Sequence, residues 1–81
     1  MSTPAIQKVR ATLAPLVKAP LPADDDASLF ELGVLDSFAL MDAIGRLEET
    51  FGIAVPDADL NPRRFETLAK IARYFEARRA A

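Results

Sequence analysis

Ser37 is the residue of this chain whose type and position best suit a chemical role. It follows Asp36 after a loop that contains Gly33, and an apolar helical pattern begins there and runs to Phe51. A serine that begins a helix exposes its hydroxyl, and the free N–H groups of the first turn attract a phosphate. The Asp36-Ser37 pair alone is weak evidence, because aspartates that cap helices are common.

Histidine and cysteine, the side chains that enzymes most often use at neutral pH, are both absent. Nucleophilic triads, zinc sites and most proton shuttles depend on one or the other. Paired carboxylates could still act as acid and base, but a domain of 81 residues leaves little room for a pocket that would retune them. We therefore predict that the chain is not an enzyme and holds no metal ion.

The composition fits one small domain that comprises residues 1–81. The hydrophobic fraction of 51% is enough for a core, and no run approaches the ~20 apolar residues of a membrane span. The first ten residues lack the apolar segment of a signal peptide, and there is no disulfide framework. These features predict a cytoplasmic, monomeric protein without a membrane span.

Charge is distributed unevenly along the chain. Residues 1–18 carry a net charge of +3, from Lys8, Arg10 and Lys18. Residues 19–53 carry −7, and residues 54–81 carry +2. An acidic middle third argues against nucleic acid as a partner and favours a basic protein. An unevenly charged, solvated surface is the alternative explanation.

The apolar periodicity predicts an all-α fold, a small four-helix bundle with a long first loop and a short third helix. The first helix starts near Thr3 and ends near Ala14, before Pro15. Gly45 lies within the second helix at a cost of about 1 kcal/mol, which suggests either close helix packing or a gap for cargo. The predicted apolar stripe of the second helix consists of Phe38, Met41, Ile44, Leu47 and Phe51.

Four blocks of the sequence resemble the acyl and peptidyl carrier proteins, and the resemblance covers roughly residues 28–76. Their order and spacing agree with that family, which forms small helical bundles. The blocks are Leu29-Phe30-Glu31-Leu32-Gly33, Asp36-Ser37-Phe38, the stretch from Leu47 to Asp57, and Phe65-Glu66-Thr67-Leu68-Ala69-Lys70-Ile71-Ala72.

The resemblance implies a covalent cofactor at Ser37. In the family, a phosphopantetheinyl transferase uses magnesium to attach 4′-phosphopantetheine from coenzyme A to this serine. The terminal thiol of the arm then carries an acyl or aminoacyl group as a thioester. The resemblance implies that Asp36 caps the helix and engages the transferase's metal site. The candidate partner-binding residues are Phe38, Met41, Asp42, Glu48 and Glu49.

The sequence departs from the carriers of fatty-acid synthesis beside the serine. It has Phe38 where they have leucine, and Ala39 where they have an acidic residue. The Leu35-Asp36-Ser37-Phe38 segment is more similar to stand-alone aminoacyl carriers, including D-alanyl carriers. This similarity implies loading by an adenylating ligase and delivery to a downstream acyl-accepting enzyme. The alternative is an unmodified protein-interaction module with an acidic binding helix, in which Ser37 only begins that helix.

Overall fold

The computed structural model describes residues 3–17 and 19–80, and the regular structure within them is entirely helical. Three α-helices comprise Pro4–Leu13 (α1), Ser37–Phe51 (α2) and Leu68–Ala80 (α3). Two short 3-10 helices, Asp57–Asp59 and Pro62–Phe65, connect α2 to α3. The all-α fold is therefore confirmed, with the predicted short third helix formed by two 3-10 turns rather than a fourth α-helix. Lys18 lies outside the described residues.

Short polar side chains begin these helices, as their sequence positions predict. The Thr3 hydroxyl accepts a hydrogen bond from the Ile6 N–H at 3.2 Å, and the Asn61 side chain accepts one from the Arg63 N–H at 2.9 Å. A proline follows each of these two caps, where its missing N–H costs nothing. The Thr67 hydroxyl accepts from the Lys70 N–H at 3.0 Å, so α3 begins at Leu68.

The core lies where the apolar faces of the three α-helices meet. The Phe51 ring of α2 stacks on the Phe75 ring of α3, with centroids 4.8 Å apart. Phe65 of the second 3-10 helix is fully buried and meets the Tyr74 ring edge-on at 5.2 Å. The other fully buried side chains among the described residues are Val9, Leu13, Leu29, Leu47, Leu68, Ile71 and Phe75.

The buried face of α2 differs from the predicted stripe. Ile44, Leu47 and Phe51 are buried as expected, but Phe38 and Met41 are exposed. Phe38 precedes Leu47 by nine residues, which is about two and a half helical turns, so the two side chains leave opposite sides of the helix. The inner face instead continues through Leu40 and Ala43.

Leu40 is directed inward by the start of the helix. Leu35 stands just before the capping residue and Leu40 is the fourth residue of α2, the two positions that form a hydrophobic staple. Both side chains are buried in the same core. This pairing sets the rotation of α2 and leaves Phe38 outside.

The long loop between α1 and α2 is attached to the bundle at several points. Asp25 forms an ion pair with Arg10 of α1 at 2.6 Å, and its carbonyl accepts from the Ala69 N–H of α3 at 3.0 Å. Leu29 donates its N–H to the Glu66 carbonyl at 2.8 Å and is fully buried. The loop therefore delivers the chain to the start of α2 from a fixed direction.

Candidate functional site

The segment before Ser37 is held against the core by its backbone. The Leu29 carbonyl accepts hydrogen bonds from the N–H groups of both Val34 and Leu35, at 2.9 and 3.1 Å. Gly33 turns the chain with φ of +71°, a backbone conformation that residues with a side chain rarely adopt. With Val34 and Leu35 buried, the next residue emerges at the surface.

Asp36 occupies the capping position of α2. Its backbone is extended, and its Oδ1 accepts a hydrogen bond from the Ala39 N–H at 2.8 Å. Its carbonyl accepts from the Leu40 N–H at 2.8 Å, the first bond of the helical ladder. Asp36 thus fixes the start of α2 through both its side chain and its backbone carbonyl.

Ser37 is the first residue of α2, and its side chain is exposed. The backbone N–H groups of Ser37 and Phe38 have no acceptor among the described residues. A phosphodiester on the Ser37 hydroxyl would lie near these donors and the positive end of the helix dipole. This placement favours a negative charge by about 0.3–1 kcal/mol at an exposed site.

Three large apolar side chains are exposed in this part of the sequence. Phe38 is 86% exposed, Met41 56% and Leu32 55%. Met41 lies one turn after Ser37 and Phe38, so these three residues share neighbouring surface of α2. Leu32 lies in the loop before α2, where the apolar side chains of Val34 and Leu35, which follow it, are buried instead. Val34 and Leu35 stand directly before the helix cap, and this position is the sequence signal that they are buried.

The three predicted acidic contact residues differ in their surroundings. Asp42 and Glu49 are exposed on α2. Glu48 is half-buried, and its Oε2 accepts a hydrogen bond from the Val55 N–H at 2.7 Å. The Glu48 carboxylate therefore ties the last turn of α2 to the extended link that follows, a structural role that its sequence position did not reveal.

Gly45 is exposed, and a Cβ added there would meet no atom within 4 Å. The prediction that this glycine allows close helix packing is therefore wrong. It borders two shallow depressions beside α2, one shared with Leu16 and Met41, the other with Ile53 and Ala54. The alternative, that the glycine leaves a gap for part of the cargo, stays a prediction.

Two other features, a cluster of metal ligands and a membrane-spanning helix, are absent from the described part of the chain. Within residues 3–17 and 19–80, no three acidic side chains come close enough to share a metal ion. None of the helices there has the length and apolar character needed to cross a bilayer.

The fold and site together define a class of protein: a helical bundle that presents a capped, exposed serine at the start of its second α-helix. Residues 7–75 match the family described as "Phosphopantetheine attachment site". The chain belongs to this family. Membership implies a covalently attached 4′-phosphopantetheine, and it confirms the resemblance to acyl and peptidyl carriers.

Among curated proteins, the chain is similar to the D-alanyl carrier proteins of Streptococcus pyogenes serotypes M5 (strain Manfredo), M49 (strain NZ131) and M1. Each is 39% identical over 51 residues, which is 63% of this chain. The matched region spans 65% of the length of each relative. These relatives agree with the predicted similarity to aminoacyl carriers.

Proposed function

We propose that Ser37 is the attachment site of 4′-phosphopantetheine and that the chain carries an acyl or aminoacyl group to partner enzymes. The observation that supports this most directly is the exposed Ser37 hydroxyl on the first residue of α2, within the region that matches the family. When bound, the arm supplies a terminal thiol that holds the cargo as a thioester.

In the proposed attachment, the Ser37 oxygen forms a bond to the phosphorus of coenzyme A that bears the pantetheine. The bond from that phosphorus to 3′,5′-ADP breaks, and the hydroxyl proton passes to the transferase. Asp36 keeps Ser37 on the first turn through its bond to the Ala39 N–H. We propose that its free carboxylate oxygen also engages the metal of the transferase.

The proposed docking surface for partner enzymes surrounds Ser37 on α2. Phe38 and Met41 supply exposed apolar area, and Asp42 and Glu49 supply charge for a basic partner. Single exposed ion pairs contribute under about 1 kcal/mol, so recognition needs several contacts together. Glu48 contributes less directly, because its carboxylate is bonded to the Val55 N–H.

The attachment test is intact-protein mass after incubation with coenzyme A, magnesium and a promiscuous phosphopantetheinyl transferase. The wild type should gain one phosphopantetheine, and Ser37→Ala should gain none. Ser28→Ala is the matched control, since Ser28 is a serine of the preceding loop and should leave the gain intact. A folded wild type that gains no mass, beside a known carrier that does, would favour an unmodified interaction module with an acidic helix.

We further propose that an adenylating ligase loads an aminoacyl cargo, which a downstream enzyme accepts. The relatives named D-alanyl carrier protein make D-alanine the first cargo to test. The holo-protein should be charged faster by a D-alanine-activating ligase than by fatty-acid-synthesis enzymes, as read from the mass of the thioester. Equal or faster charging by the fatty-acid enzymes would refute the aminoacyl assignment and leave the carrier assignment standing.

A further inference from the structure

A second charged surface lies away from the attachment site, in a groove between the second 3-10 helix and α3. The groove has a volume of about 580 Å³, and none of its lining residues borders the depressions beside α2. Its walls carry five cationic side chains and a single carboxylate, that of Asp59. The five are Arg63, Arg64, Lys70, Arg73 and Arg78.

Three of these cations have no ion-pair partner among the described residues. Arg78 pairs with Asp59 at 3.2 Å, and Lys70 pairs with Glu66 at 3.4 Å. Within the described part of the chain, the side chains of the other three form no ion pair or hydrogen bond; they are Arg63, Arg64 and Arg73. Like charges brought together repel one another, so an anionic partner would relieve this arrangement.

The cations form an elongated row rather than a cage. Three of them lie at helical spacing on one exposed face of α3, namely Lys70, Arg73 and Arg78, and Ala77 lies on the same face. From Lys70 to Arg78 this face comprises nine residues and measures about 12 Å along the helix axis. Ala77 and the half-buried Tyr74 form a less polar floor between the charges. Such a surface is too long for one small ion and matches a row of carboxylates on a helix.

We propose that this groove is a docking site for an acidic amphipathic helix of a partner protein. Guanidinium groups bind carboxylates through two parallel hydrogen bonds, which gives the site geometric selectivity as well as charge. Glutamates at i, i+3 or i+4, and i+7 of the partner would face the row along α3. The proposal does not depend on the modification of Ser37, since it concerns separate residues.

The charge of the rest of the molecule favours an acidic helix over a longer polyanion. Residues 19–53 carry a net −7, and the molecule measures only 32 × 28 × 20 Å. Exposed charges interact over a Debye length of about 10 Å, so a nucleic acid or an anionic bilayer would also meet the acidic surface. A helix that carries its carboxylates on one face touches the groove alone.

The test is an amide NMR titration with a synthetic helical peptide that has glutamates on one face, beside its all-glutamine counterpart. The acidic peptide should shift the signals of residues 63–78, and the glutamine peptide should not. Arg63→Gln combined with Arg73→Gln should weaken binding about tenfold or more, because two charge-assisted contacts are lost. These two side chains are exposed and form no ion pair with any described residue, so the melting temperature should be unchanged.

The matched control combines Arg46→Gln with Arg79→Gln, which removes two exposed cations outside the groove. Its affinity for the acidic peptide should equal that of the wild type at the same ionic strength. Equal weakening by both double variants would overturn the proposal, since it would show non-specific charge attraction. Tighter binding of a DNA duplex or of anionic vesicles at residues 63–78 would also overturn it.

Discussion

At the scale of single residues, the site depends on the contrast between Asp36 and Ser37. The Asp36 carboxylate bonds to the Ala39 N–H and secures the first turn, while the neighbouring hydroxyl of Ser37 is left exposed. Both positions could be predicted from the sequence, because helix caps follow local rules. The hydrogen bond that Glu48 accepts from the Val55 N–H could not be predicted, because it requires the link after α2 to fold back onto the helix.

Replacement of Asp36 by alanine should lower the free energy of unfolding by about 1 kcal/mol, the usual loss for a helix cap. Asp36→Asn is the control, because an amide oxygen still accepts from the Ala39 N–H. Thermal or denaturant unfolding followed by circular dichroism measures both. Equal stability of Asp36→Ala and wild type would contradict the capping role. If the asparagine variant is stable but accepts the arm more slowly, the carboxylate charge also serves the transferase.

At the scale of elements, the rotation of α2 decides which side chains partners can reach. An α-helix has 3.6 residues per turn, so apolar residues spaced three apart are displaced further around the axis at each step. Phe38 and Met41 therefore do not share the face of Leu47. The buried pair of Leu35 and Leu40 fixes the rotation that places them outside. Their exposure strengthens the proposal that they contact partner enzymes.

Two glycines associated with α2 should respond to alanine in opposite directions. Gly45→Ala should raise the free energy of unfolding by about 0.5–1 kcal/mol, because the methyl enters open space and restricts the unfolded chain. Gly52→Ala should lower it by about 1–2 kcal/mol, because Gly52 ends the helix with φ of +67°. Denaturant unfolding compares the two variants. A destabilised Gly45→Ala would mean that the glycine is needed by the fold.

At the scale of the whole molecule, contacts between distant segments set the positions of the loops. The Tyr74 hydroxyl of α3 donates to Asp59 Oδ2 at 2.7 Å, and Arg78 reaches the same oxygen at 3.2 Å. These bonds attach the first 3-10 helix to α3 and form one end of the basic groove. The pKa of Tyr74 is raised above its ordinary value of 10.0. Partial burial is the main cause, and the hydrogen bond to Asp59 is the second.

The raised pKa of Tyr74 predicts a pH dependence of stability. Folding favours the neutral phenol, so this contribution is fully present below pH 10 and is lost as the pH rises through the folded pKa. The unfolding free energy of the wild type should therefore fall more steeply above about pH 10 than that of Tyr74→Phe. Tyr74 is the single tyrosine of the chain, so its phenolate absorbance reports the titration directly.

The control for this prediction is Asp59→Asn, which removes the charge that faces the phenol. The pKa of Tyr74 should move down toward its ordinary value in this variant. A folded wild type that titrates at the ordinary value, or an identical pH slope in Tyr74→Phe, would contradict the assignment.

The sequence by itself determined the helical class, the helix starts, the cap at Asp36 and the serine beside it. These depend on local chemistry, and caps, prolines and glycines act within a few residues. Only the tertiary structure decided that Phe38 is exposed, that Glu48 is bonded to the link, and that Arg63 and Arg64 face the cations of α3. Each of these depends on which surfaces pack against one another in the folded chain, and helix and cap signals alone do not specify that.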